Sequence, residues 1–206
     1  VSYDRNDPGW TYTGSNETAN NIVGASGAWI ADVCLFFFDG DKAGEADALS
    51  NIASVLYDSG SYQAAIQNFE QSLKLTQEMQ NQQKSSEVLK NIATVYENTF
   101  RYDEAIENLE KSLEIKKEIG DTEGESEVHK SLGSIYFDQN RFDEAVRQME
   151  TSLRIDKEKG KKEELGATLN DLGASYYNMR QYEQAIDYYE QALKVTGETN
   201  NLRDKS

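Results

Sequence analysis

Apolar residues along this chain fall into paired stripes at helical spacing, and the paired set recurs every 40 residues from about Ala46 onward. Superposed without gaps, the copies align Tyr62, Tyr102, Phe142 and Tyr182, then Ala65, Ala105, Ala145 and Ala185. Glu70, Glu110, Glu150 and Glu190 align next, followed by Leu73, Leu113, Leu153 and Leu193. Within one period, Leu132, Ile135 and Tyr136 share a helical face, residues 139–141 interrupt it, and Phe142, Ala145, Val146, Met149, Ser152 and Leu153 resume it. That pattern predicts a helix, a tight turn and a second helix. Small residues at Ala53, Ala93, Gly133 and Gly173 face bulky ones, as do the aligned alanines of the second helices. Small against large lets two helices approach closely and interlock. Neither helix buries its stripe alone, so each pair must stack on the next into an all-α solenoid of four helix pairs.

These residues resemble the tetratricopeptide repeat in its longer, 40-residue spacing. In that family's consensus order the third unit reads Leu132, Gly133, Tyr136, Phe142, Ala145, Met149, and the fourth Leu172, Gly173, Tyr176, Tyr182, Ala185, Tyr189, Ala192. Ala53 and Ala93 replace the first-helix glycine in the other two units, Leu56 replaces the tyrosine in the first, and the consensus proline is missing throughout. The resemblance covers roughly residues 45–206. It implies a right-handed helical-hairpin solenoid with repeats at about 45–84, 85–124, 125–164 and 165–206, after a non-repeat segment at 1–44. The residues beyond a shorter repeat are expected in inter-repeat loops at 118–124 and 158–164.

The resemblance also implies a function, that of a protein-interaction scaffold or adaptor, with the first helices lining a concave groove. Carried over position by position, that groove takes Asn51 and Asn91, at one position of neighbouring units, as amides for a peptide backbone, with Ser54 and Asn170 among the other groove positions. Tyr57, Phe137 and Tyr177 become apolar anchors. Its charged positions are Asp47, Asp58, Glu87, Glu97, Glu127, Asp138 and Asp171 against Lys90 and Lys130, so the expected potential is negative and the expected partner basic and apolar. The basic clamp with which some family members hold acidic chaperone tails is not present at these positions.

Charge and composition agree. A net charge of −16 argues against nucleic acid as a ligand of the repeats. The sole proline is Pro8, and mean hydropathy is −0.76, as suits a polar, mostly helical chain. Cys34 is the only cysteine, which excludes an intrachain disulfide and a cysteine metal cluster; with no signal peptide legible, the cytoplasm is the expected location. No cofactor motif and no enzyme are indicated. His129 is the only histidine and stands where the other units have Leu49, Leu89 and Leu169, so it reads as a packed side chain. Glu107 with Lys111 and Asp143 with Arg147 read as helix-face ion pairs.

The first 40 or so residues differ in kind. They hold Trp10 and Trp29, a Gly/Ser/Asn-rich stretch at 13–27 and an apolar run at 28–38 that is too short to span a bilayer, which needs about 20 residues. DPGW at 7–10, NIVG at 21–24 and GAWIADVCLFFF at 27–38 resemble a periplasmic loop and transmembrane helix of FtsK-type DNA translocases, departing at Asp39, Asp41 and Lys42. A helix at 25–38 that caps the first repeat is one expectation for this segment, and a membrane-contacting or partner-docking element is the other. Residues 16–18 form a glycosylation sequon. At the far end, the apolar side of the last helix lacks a following helix, and homodimerisation would cover it.

Overall fold

The computed structural model describes residues 41–203, apart from the side chains of 162–163 and 198–203. The N-terminal segment, with the cap and membrane expectations placed on it, lies outside the described residues. Within them the chain is all-helical: α1 (Lys42–Asp58), α2 (Tyr62–Glu78), α3 (Gln82–Asn98), α4 (Tyr102–Ile119), α5 (Thr122–Asp138), α6 (Phe142–Lys159), α7 (Lys162–Asn178) and α8 (Tyr182–Arg203). The helices form four hairpins, each packed on the next, in a helical-hairpin solenoid. We call α1, α3, α5 and α7 the A helices and the others the B helices.

The 40-residue period contains a 20-residue one. Gly60, Gln80, Phe100, Gly120, Asn140, Gly160 and Arg180 all have left-handed backbones, with φ between 55° and 79°. After each, the next amide bonds the carbonyl five residues back, as Asp121 N to Lys116 O at 2.9 Å and Arg141 N to Tyr136 O at 2.8 Å. This is the Schellman turn, which satisfies the last carbonyls of one helix and reverses the chain in two or three residues. Glycine takes that conformation without strain at 120 and 160, whereas Phe100, 78% exposed, takes it against its side chain.

The inter-repeat loops expected at 118–124 and 158–164 are therefore not loops. Helix α4 runs to Ile119 and α5 begins at Thr122; α6 runs to Lys159 and α7 begins at Lys162. The extra residues lengthen the helices, because Gly120 and Gly160 end one helix and the next residue opens another. Asp121 caps α5 by accepting from Gly124 N at 2.9 Å, and Asn81 caps α3 by accepting from Lys84 N at 3.1 Å.

The core is made at the joints. Leu109 of α4 packs with Val128, Leu132 and Ile135 of α5, and Val146, Met149 and Leu153 of α6 pack with Leu165, Leu169 and Leu172 of α7. Gly133 lets the Met149 side chain lie where a Cβ would come within 2.7 Å of it. Among the described residues, no helix is long and apolar enough to cross a membrane.

Candidate partner-binding face

The groove residues named from sequence lie along the A helices, and their side chains connect those helices in series. Lys84 of α3 pairs with Asp47 of α1 at 2.6 Å, and Lys90 of α3 pairs with Glu127 of α5 at 2.6 Å. Lys130 of α5 reaches Glu164 of α7 at 2.6 Å and the buried Asp156 of α6 at 2.7 Å. Lys161, just before α7, contacts Glu123 of α5. Burial works against the charge of Lys130, but its close contacts with the carboxylates of Asp156 and Glu164 outweigh this and hold its pKa above the ordinary lysine value. The two lysines expected as groove cations are thus spent on neighbouring helices.

The acids are not all balanced. Among the described residues, no lysine or arginine pairs with Glu97, Asp138, Asp58 or Asp171. Burial, and then the charge of Asp138, push the Glu97 carboxyl above its ordinary pKa. Glu87 accepts a hydrogen bond from Gln83 Nε2 at 2.8 Å, and no cation pairs with it. Ser54 turns back onto Ser50 O at 3.0 Å. The amides of Asn51, Asn91 and Asn170 make no hydrogen bond among the described residues.

The three aromatics share a local role that sequence did not disclose. Each contacts the ring that opens its own B helix: Tyr57 on Tyr62 at 5.8 Å, Phe137 on Phe142 at 5.4 Å and Tyr177 on Tyr182 at 5.8 Å between centroids. Phe137 also packs against the core, and the Tyr57 hydroxyl accepts from Asn98 Nδ2 at 2.7 Å. Tyr177, 59% exposed, keeps the most free surface of the three. Lys84, Glu164 and Asp156 were missed as members of this face. Their only signal in sequence is opposite charge at a spacing of 26 to 37 residues, which acquires meaning once the hairpins are stacked.

Elsewhere, His129 is buried as its alignment with leucines implies. Its Nδ1–H donates to Gln148 Oε1 at 2.6 Å, and burial lowers its pKa. Glu107 pairs with Lys111 at 2.6 Å as expected, but Arg141 pairs with Glu144 at 3.1 Å, and no bond joins Asp143 to Arg147.

Comparison with known proteins settles the fold family. Three family models, each described as "Tetratricopeptide repeat", match residues 46–79, 84–158 and 167–195. These residues are tetratricopeptide repeats. Separately, residues 1–40 match the model of the 4TM region of DNA translocase FtsK/SpoIIIE. No curated protein sequence matches the chain. Among solved structures, BtubC (BKLC) from P. vanneervenii is 19% identical with a TM-score of 0.76, over 85% of this chain and 74% of that one. The apo form of RapI is 22% identical with a TM-score of 0.77, over 84% of this chain and 48% of RapI. A putative kinesin light chain of Podosopora anserina, described as having nearly identical TPR-like repeats, is 17% identical with a TM-score of 0.70, over 85% and 88%. At these identities the likeness is one of fold. Tetratricopeptide repeats are protein-binding repeats, and that is the coarse function of this array.

Proposed function

We propose that the A-helix face is a preformed groove for a basic, apolar segment of a partner protein, and that the chain acts as an adaptor. The observation that carries this reading is the charge imbalance on that face. Lys84, Lys90 and Lys130 are consumed in bridging successive A helices, while Glu97 and Asp138 stand together with no cation among the described residues. Two acids held that way lower stability for the fold alone. A lysine or arginine arriving from a partner relieves the repulsion, so the charge at Glu97 and Asp138 favours a basic segment. The unengaged amides of Asn51 and Asn91 supply backbone contacts, and Tyr177 an apolar one. Because the bridges fix the A helices beforehand, little ordering of the receptor opposes binding. Nothing in this reading asks the chain to catalyse a reaction: His129 is buried, which lowers its pKa, and its Nδ1–H is engaged by Gln148.

Glu97→Gln separates binding from folding. The folded pKa of Glu97 is raised, so its charge costs stability above that folded value and costs nothing below the ordinary glutamate value of about 4.3. The variant is expected to be as stable as wild type or slightly more so at neutral pH, within about 0.5 kcal/mol, with the difference vanishing in acid. At neutral pH it should bind a Lys/Arg- and aromatic-containing peptide about tenfold more weakly, a difference that closes in acid where Glu97 is protonated, and wild-type affinity should fall with added salt. Titration of such peptides beside versions with Lys and Arg changed to Glu checks this. Equal affinity for both, or an unchanged Glu97→Gln variant, contradicts the groove assignment.

A second reading rests on the match of residues 1–40 to a membrane-region model. In it the adaptor is tethered to a membrane by that segment, and an intact chain that stays in the supernatant after membrane sedimentation contradicts it.

A further inference from the structure

The two ends of the array expose the two halves of its own internal joint. On α8, Tyr182, Ile186, Tyr189 and Leu193 form a stripe at helical spacing, with Ile186 57% and Leu193 74% exposed. The same register on α6 is Phe142, Val146, Met149 and Leu153, of which the last three are buried against α7. On α4 it is Tyr102, Ile106, Leu109 and Leu113, which pack against the cluster that includes Val128, Leu132 and Ile135 of α5. The stripe on α8 is thus the register that α4 and α6 use to receive the next A helix, with Tyr189 also lying against Gly173 of its own hairpin.

At the other end, Val55 of α1 is 69% exposed, with Ala48 and Ile52 half-buried beside it. Their equivalents are Val88, Ile92 and Val95 on α3, and Val128, Leu132 and Ile135 on α5, all buried where a B helix precedes them. Ala48 is smaller than Val88 and Val128, while Ile52 and Val55 keep the bulk of the stripe. The surface on α1 is the face that an A helix presents to a preceding B helix.

We propose that copies of this chain associate head to tail, α8 of one on α1 of the next, reproducing the inter-repeat joint between molecules. The occupant is a second copy because the chain itself carries the complement of the exposed stripe, in the register that the α4/α5 and α6/α7 joints already use. Where internal joints set Lys90 beside Glu127, the intermolecular joint sets Asn170 towards Asp47, an amide towards a carboxylate. The contact is heterologous, since different patches meet, so association leaves a free patch at each end and continues with concentration. It rests on Val55, Ile186 and Leu193, none of them a groove residue, so substitutions there test it independently of the groove. Salt separates the two as well. The net charge of −16 per chain repels copies at long range, so added salt should strengthen association while it weakens groove binding.

Sedimentation velocity of the full chain from about 1 µM to about 500 µM tests the proposal, a range that brackets weak to moderate contacts. The weight-average mass should rise above one chain as concentration increases. The double substitution Ile186→Glu, Leu193→Glu and the single substitution Val55→Glu should each hold the chain at one copy. All three sites are exposed, so the helical circular dichroism and denaturation midpoint of these variants should match wild type. An equimolar mixture of the two should recover association and stop at two chains, because each supplies the intact patch that the other lacks. A mass of one chain at every concentration overturns the proposal. So does association that survives Val55→Glu but not the α8 substitutions, with no recovery on mixing, because that result means two α8 stripes pair with each other.

Discussion

Asp121→Ala should destabilise the array by about 3–5 kcal/mol, the usual cost of leaving one buried charge without its partner. Asp121 stands at the turn between α4 and α5, and its two oxygens do different work. Oδ2 lies 2.7 Å from Nζ of Lys116, a lysine with only 3% of its surface exposed, and Oδ1 accepts the amide of Gly124. The packing there is close: a Cβ on Gly124 would fall 2.4 Å from both Lys116 and Asp121. Removing the carboxylate orphans a buried ammonium and uncaps a helix at one point. Because repeats contact only their neighbours, the damage falls on the joint between the second and third hairpins, and the melting transition should broaden as the two halves uncouple. The double variant Lys116→Met, Asp121→Ala should recover most of the loss, since no charge is then left buried.

Proton linkage gives the same pair a pH signature. The hydrogen bond from Lys116, and then the amide of Gly124, hold the Asp121 carboxyl below its ordinary pKa. A carboxylate with a lowered folded pKa contributes its full stability above the unfolded value of about 3.9 and loses it as pH falls through the folded value. Wild type and Asp121→Ala should therefore differ most near neutrality and converge below about pH 4.

The second large effect contrasts two residues that sequence places in the same register. Leu153→Ala empties a site that is 6% exposed at the joint between α6 and α7, and should cost about 2–5 kcal/mol. Leu193→Ala alters the aligned position on α8, which is 74% exposed, and should change stability by no more than about 0.5 kcal/mol while the chain is a monomer. Chemical denaturation at low protein concentration checks both. Equal losses would mean that something within the chain covers α8.

This contrast marks how far the sequence carried. The helix, turn, helix order was legible to the residue at 139–141, because the apolar stripes break where the turn falls. The stripe of α8 was legible too, and among the described residues its Ile186 and Leu193 are exposed. The inter-repeat turns were misjudged for a physical reason: polar residues around Gly120 and Gly160 read as loop, yet one left-handed residue lets two long helices meet almost without one. Polar residues inside the joints were also hidden. Lys116 and Asp156 occupy a position where the other units have threonine, and both are buried, Asp156 accepting from Ser126 at 2.6 Å and contacting Lys130. A charge at a helical surface spacing looks solvated until its partner, 5 or 26 residues away, is brought to it.

The candidate groove was legible as a set of positions and not as a set of roles. The lysines chosen as ligand contacts bridge helices, and the aromatics chosen as anchors contact the opening residue of the next helix. What remains available on the face are the acids around Glu97 and Asp138, the amides of Asn51, Asn91 and Asn170, and much of Tyr177.

The central claim, that a partner binds the A-helix face, is tested most directly by immobilising the wild-type chain beside the variant Asn51→Ala, Asn91→Ala, Glu97→Gln, Tyr177→Ala. All four residues lie outside the buried core, so the two proteins should show matching helical content and denaturation midpoints. A partner protein retained by wild type and lost from the variant, and released from wild type by salt, is the predicted result. Equal retention by both chains would contradict the groove and move partner binding to another surface of the molecule.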